Sequence, residues 1–219
     1  ENPTPLSNVI EVISIVVLPF AVVFMVGPFT GRRKLTALVF GVMAALSVVS
    51  IGLSWWSEQQ PNAAVAGLAA PGPNLEGKEV RLGATASALW TAVTTQTSNG
   101  SVNAMHDSVN PLAGTVALVN MLINSIWGGI GCGLVGHLVF LLLSIFIAGL
   151  MIGRTPEVFG RKLETGEVRL LSFLIVLQTL TILGFTALAL VIPGVAGTSN
   201  PGLHGIAQVF YEYTSAYAN

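Results

Sequence analysis

Four stretches of the chain are apolar for long enough to cross a bilayer core, which takes about 20 helical residues. Val9–Phe29 is the first, interrupted by Glu11 near its start and Pro19 inside. Leu35–Trp56 is the second, and Trp55–Trp56 supply the aromatic pair that suits a membrane interface. Leu118–Ile152 is too long for one straight span and contains GGIGCGLVG, Gly128–Gly136. Each glycine weakens a helix by about 1 kcal/mol. A helix of about 115–152 is therefore expected to break at Gly128, Gly129, Gly131, Gly133 and Gly136. Leu170–Ile192 is the fourth span, closed by Pro193–Gly194.

Between the second and third spans the pattern changes. Ala84–Thr95 is apolar but about 12 residues long, too short to cross. It runs into TTQTSNGSVNAMHDS, Thr94–Ser108, the most polar uncharged run in the chain. A short helix that enters and leaves on one side is a re-entrant pore helix, here about 84–96. Irregular backbone at membrane depth is tolerated only inside protein or against a water-filled cavity. A similar half-apolar helix, His204–Tyr213, follows the fourth span and again ends in small hydroxyl and amide residues. The alternation of span, short helix, polar loop and span predicts tandem pore-loop units.

Composition agrees with a membrane chain: 53% of residues are hydrophobic and only 9% charged, against about 25% charged in soluble domains. The net charge of −1 gives no case for nucleic acid. Lipid is the expected surrounding. Seven of the nine Lys and Arg residues fall in two connections: Arg32, Arg33 and Lys34, then Arg154, Arg161, Lys162 and Arg169. By the positive-inside rule, about 28–34 and 153–169 are cytoplasmic, and 57–117 and 194–219 face outside or the pore. The chain opens ENPTPLSN and closes YEYTSAYAN, and is expected to be a piece of a longer protein.

The run Thr97–Ser101, TSNGS, invites a cation. A dehydrated alkali ion needs several oxygens, and backbone carbonyls supply them without adding charge. Gly100 gives the loop freedom to aim them. The C-terminal end of the preceding helix is partly negative. No carboxylate stands in the loop, which disfavours a divalent ion. The same residues also suit a simple buried turn, and both readings stay open at this point.

Other candidates are weaker. His106–Asp107 in MHDS suggests an intramembrane hydrolase, but no nucleophile is in evident reach and a vestibule role is preferred. His137 beside the glycines is expected to be an interior hydrogen-bonded residue rather than a proton relay. His204 is expected to cap or pack. Cys132, the only cysteine, is expected to be a buried small residue. Arg154 with Glu157, in GRTPE, is read as an exposed pair or a docking point. No GxxxxGK[ST] loop or HExxH motif is present, so no catalytic residue and no covalent cofactor is expected.

ENPTPLSN, LEGKEVRLG (Leu75–Gly83), AVTTQTSNGSVNAMHDS (Ala92–Ser108), AGLMIGRTPE (Ala148–Glu157) and NPGLHGIAQVFYEYTSA (Asn200–Ala216) resemble the A subunit of the bacterial potassium-transporting ATPase, the KdpA family, in the right order. The resemblance implies an all-α integral membrane fold of four tandem helix–pore loop–helix repeats around one potassium filter, here incomplete. Residues 1–34 would close the second repeat, 35–168 would form the third, and 169–219 would begin the fourth. The third filter segment would be Thr97, Ser98, Asn99, Gly100 and Ser101, with K+ held at Ser98, Asn99 and Gly100. The family often has cysteine or another small residue where Asn99 stands. Asn219 would start the fourth filter strand. The glycine-rich break would be the intramembrane loop below the filter. A channel-like subunit of the inner membrane is implied, passing K+ to a KdpB-type P-type ATPase that alone uses ATP, with KdpC-type and KdpF-type subunits completing the complex. The alternative is a passive or ion-coupled K+ transporter of the Trk or Ktr type, which lacks the GRTPE block.

Overall fold

The computed structural model describes residues 4–62, 67, 72–129 and 131–218. It is helical throughout, with one two-stranded hairpin. Four helices are long and apolar enough to cross a membrane. Contact patterns divide the chain into two units, 1–134 with 218–219, and 135–217.

In the first unit, α1 (Pro5–Thr30) starts at a capping box, where Thr4 and Ser7 exchange side-chain and backbone hydrogen bonds. This satisfies amide groups that would otherwise be left open at a helix start. α2 (Arg33–Glu58) follows after a tight turn at Gly31, whose φ of 67° suits a residue without Cβ. The short helix α3 (Gly83–Thr97) packs against α1, α2 and α4 (Pro111–Ile123). It is therefore enclosed: Ala88, Trp90, Ala92, Val93, Gln96 and Thr97 are all buried. The sequence-derived helix of about 84–96 agrees with it to within a residue at each end.

The expected broken helix is indeed two helices, but the break lies earlier. α4 ends at Ile123, Asn124 adopts a left-handed conformation (φ 42°), and α5 (Cys132–Ile152) starts after Gly131. Gly133 and Gly136 are thus helical, which corrects the placement of the break at 128–136. The reason is packing. A Cβ on Gly133 would overlap the Trp127 carbonyl, and one on Gly128 would overlap the Gly133 backbone. Gly133 lets the first turn of α5 fold tightly against the chain that precedes it. Trp127 is buried and sits against Phe20 and Phe40, with ring centroids 4.3 and 5.7 Å away. This aromatic cluster clamps the irregular segment onto α1 and α2. Cys132 is exposed, not buried as expected. Its thiol sulfur accepts the Gly129 N–H at 2.9 Å.

In the second unit, α5 leads to the hairpin β1 (Glu157–Val158) and β2 (Arg161–Lys162), then α6 (Thr165–Val191) and α7 (Gly202–Ala218). The GRTPE block has a structural role here. Arg154 N–H donates to the Gly149 carbonyl (3.0 Å), and a Cβ on Gly149 would stand 3.0 Å from the Pro156 ring. The ion pair of this connection joins Arg161 to Glu167 at 2.9 Å, rather than Arg154 to Glu157. Both partners are exposed enough that the pair contributes little to stability. α7 extends the expected helix of 204–213 in both directions, and His204 is exposed on its first turn.

Candidate functional site

The end of α3 is fixed by side chains that a purely apolar helix would not carry. Gln96 accepts from the Ser47 hydroxyl (2.7 Å), and its amide donates to the Ser47 carbonyl (3.4 Å). Asn120 of α4 donates to the Thr95 hydroxyl (3.0 Å) and accepts from Ser50 (3.0 Å). All five side chains are buried. Each satisfied bond contributes about 1 kcal/mol, and each orphaned partner would forfeit more. The Gln96 carbonyl is capped by the N–H groups of Trp127 and Gly128, at 3.2 and 2.8 Å. The irregular segment therefore lies directly against the C-terminal end of α3.

Beyond Thr97 the chain turns abruptly. Ser98 is left-handed (φ 51°, ψ 41°), and Gly100 has φ 73°. Hydrogen bonds from the loop's own side chains hold its shape. Asn99 Oδ1 accepts three hydrogen bonds: from the Thr94 hydroxyl (2.7 Å), the Ser101 N–H (2.9 Å) and the Ser101 hydroxyl (2.8 Å). The Ser101 carbonyl accepts from Trp90 Nε1 (3.0 Å) and lies 2.6 Å from the Thr94 hydroxyl, whose single proton is shared between it and Asn99 Oδ1. The Thr97 hydroxyl donates back to the Val93 carbonyl (2.9 Å). Ser98 Oγ donates to Asn124 Oδ1 (3.1 Å), linking the loop to the residue that opens the helix break.

These bonds sort the oxygens of Thr97–Ser101. The Thr97 hydroxyl, the Asn99 amide oxygen and the Ser101 carbonyl are engaged within the protein. Among the described residues, the carbonyls of Ser98, Asn99 and Gly100 receive no hydrogen bond. Three successive carbonyls without a donor offer uncharged oxygens of the kind a dehydrated monovalent cation needs.

Comparison with known proteins decides the family. The family model described as potassium-transporting ATPase A subunit (KdpA) matches residues 1–219. The chain belongs to this family. It is 49% identical over its whole length to the potassium-transporting ATPase potassium-binding subunit of Pseudomonas syringae pv. tomato. It is 47% identical to the protein of the same name from Gloeobacter violaceus, and 44% to that from Acidobacterium capsulatum. It spans only 39% of the first and third of these relatives and 38% of the second. Membership in the KdpA family sets aside the Trk or Ktr reading, and the four apolar spans make this a membrane protein of that family.

The remaining candidates fall outside the loop. His106, Asp107 and Ser108 form one 3-10 turn after it. The Ser108 hydroxyl donates to the Glu76 carboxylate (3.4 Å), which does not assemble a nucleophile and base. Burial lowers the His106 pKa to about 4, so the ring is neutral at physiological pH. A neutral ring next to the loop does not repel a cation. His137 lies in α5. Gly129 sits under the loop, where a Cβ would stand 3.6 Å from the Thr97 carbonyl, and Gly131 has φ 104°. Asn219 lies outside the described residues, and no cluster suited to a metal held by His, Cys, Asp or Glu occurs among those described.

Sequence reasoning missed one feature entirely. Glu58, at the end of α2, pairs with Lys78 at 2.7 Å with both side chains fully buried. Read from the sequence, these two were members of a solvated outer loop. The available signal was the position of Glu58, a carboxylate two residues past the last apolar residue of a span, with LEGKE downstream.

Proposed function

We propose that this chain supplies one segment of a potassium selectivity filter in the potassium-binding subunit of an ATP-driven uptake pump. The observation that carries the proposal is the set of unengaged carbonyls at Ser98, Asn99 and Gly100, on a loop held by the bonds of Asn99 to Thr94 and Ser101. The printed name of the relatives, a potassium-binding subunit of a potassium-transporting ATPase, supports the choice of ion and of energy source. K+ is the transported ligand, bound from outside by Thr97–Ser101 and completed by equivalent loops of other repeats. Residues 1–34, 35–168 and 169–219 are assigned to the second, third and fourth repeats. The subunit does not itself hydrolyse ATP; a KdpB-type P-type ATPase does, with KdpC-type and KdpF-type subunits in the complex, in the bacterial inner membrane. The segment 124–131, with Gly128, Gly129 and Gly131, lies on the route from the filter toward that partner.

The test is potassium-stimulated ATP hydrolysis by the full-length protein with its partner subunits, wild type beside Gly100→Asp. A side chain and a charge at a φ of 73° disturb both shape and field. Half-saturation at much higher potassium is expected in the variant. Coincident curves would make the loop a structural turn.

A further inference from the structure

The filter loop leaves α3 on one side and must be fixed on the other as well, because three aimed carbonyls require both ends of the loop to be held. The pore-helix end is secured by Gln96, Asn120 and the Thr94–Asn99 contacts described above. The returning end leads to the buried ion pair.

After Ser101 the chain passes Asn103, whose amide donates to Asn8 Oδ1 (2.8 Å). Ala104 then pairs with Lys78 as an isolated antiparallel bridge, and Met105 N–H donates to the Gly77 carbonyl at 2.8 Å. The contact at Gly77 is close: a Cβ there would stand 2.8 Å from those of Met105 and Ser108. Asn74 donates to the Ser108 carbonyl (2.9 Å) and to Glu58 Oε2 (3.2 Å). Glu58 Oε1 accepts the backbone N–H of Asn110 (2.7 Å), the residue that precedes α4. Asn110 in turn donates to the carbonyls of Ser57 (2.7 Å) and Gln60 (3.0 Å).

One carboxylate thus holds three pieces at once: the outer loop through Lys78 and Asn74, the start of α4 through Asn110, and α2, to which it belongs. Only Lys78 brings a compensating charge, and its ammonium also donates to the Glu76 carbonyl (3.2 Å). The residue whose side chain neutralises Glu58 is also the residue whose backbone receives the returning filter strand, four positions after Gly100. Apolar residues would hold these three pieces together as well or better, because buried ion pairs are poor stabilisers. Their use is to fix a geometry.

We propose that the Glu58–Lys78 pair is the outer anchor of the filter, and that Lys78 and Glu58 are positioning residues for ion discrimination. The inference rests on Thr97–Ser101 being the filter. Neither residue touches the ion. The pair sets where Ala104 lies, and through it the spacing of the carbonyls from Ser98 to Gly100.

The experiment uses the full-length subunit assembled with its ATPase partner. Potassium- and rubidium-stimulated ATP hydrolysis is followed for Lys78→Met, Lys78→Arg, the double variant Glu58→Gln/Lys78→Met, and Gly100→Asp. In Lys78→Met the carboxylate is left buried and unneutralised, so the anchor shifts. Half-saturating potassium is expected to rise about tenfold and the preference for potassium over rubidium to fall, with the maximal rate largely kept. The double variant, with no buried charge left, is expected to recover most of both. If Lys78→Met fails to assemble, Lys78→Arg, which keeps the charge and changes its reach, is expected to move the ion preference in the same direction by less. An assembled Lys78→Met or Lys78→Arg complex with unchanged preference overturns the anchor, as does a loss confined to the maximal rate. If Gly100→Asp also leaves both ions' curves unchanged, the filter itself is misplaced and the anchor falls with it. If only Gly100→Asp responds, the filter stands and the anchor alone is refuted.

Discussion

Helices α3 and α7 are the same kind of element, short and half apolar, each following a long span, yet their surroundings differ. Eleven of the fifteen residues of α3 are buried, whereas only Gly205, Val209, Thr214 and Ala218 of the seventeen in α7 are. In α3 the polar residues reach across to other helices: Gln96 to Ser47, Thr95 to Asn120. In α7 Gln208 bonds nearby, accepting from Asn200 and donating to Glu212. Leu203 and Ile206 stay exposed. The polar residues of α3 are structural because neighbouring spans bring partners to them. The same composition is a buried network in one place and a local pattern in the other.

The sharpest way to break this contrast is to remove one amide from each helix. Gln96→Leu keeps the volume but leaves the Ser47 hydroxyl and carbonyl without their buried partner. A loss of about 2 kcal/mol is expected, within the range for an orphaned buried polar group. Gln208→Leu, whose bonds are local and partly exposed, should change stability by less than about 0.5 kcal/mol. Thermal midpoints of the full-length complex carrying each variant test this. Equal shifts would mean that α3 is held by its apolar residues alone.

The second comparison sets the loop against the segment below it. Gly131 has φ 104°, a conformation closed to side chains, and lies against Val22. If the segment is the proposed route beyond the filter, Gly131→Val should slow potassium-stimulated turnover about tenfold while leaving half-saturation within about twofold. A shift in half-saturation with a normal maximal rate would place the segment within the filter instead. Asn99→Ala acts on the loop itself by deleting the acceptor of three hydrogen bonds. Here the preference for potassium over rubidium should fall, by about fivefold, corresponding to about 1 kcal/mol, with turnover retained. An unchanged preference would show that Ser101 and Thr94 hold the loop without it.

Much of this fold was legible because its signals are strong and local. The spans follow from length and apolarity, and α3 follows from being apolar yet too short to cross. The loop was legible as a place, through Gly100 and its polar neighbours, but not as a geometry. Whether Asn99 faces an ion or its own helix depends on Thr94 and Ser101 meeting it in space, which spacing alone does not determine. The helix break was misplaced for a similar reason. Glycines mark both irregular backbone and tight helix packing, and Gly133 serves the second purpose while Asn124, not a glycine, starts the break. The Glu58–Lys78 pair was missed because a charged loop is ordinarily solvated, and the fold of the outer loop and the start of α4 bury it.

The smallest effect expected concerns His106, in the turn that follows the loop Thr97–Ser101. Burial holds its pKa near 4, below the ordinary value of 6.5. The folded protein therefore keeps this ring neutral while the unfolded chain takes up a proton as the pH falls below 6.5. A depressed pKa contributes stability that is complete above the unfolded value and is lost progressively as the pH falls from 6.5 toward 4. At pH 6 the loss is on the order of 0.8 kcal/mol relative to pH 8. His106→Asn, which does not titrate, should flatten this part of the profile, measured as the thermal midpoint of the complex between pH 8 and pH 5. If the variant and the wild type lose stability in parallel, another group accounts for the slope. The neutral ring would then matter to the filter only by leaving the approach of a cation unopposed.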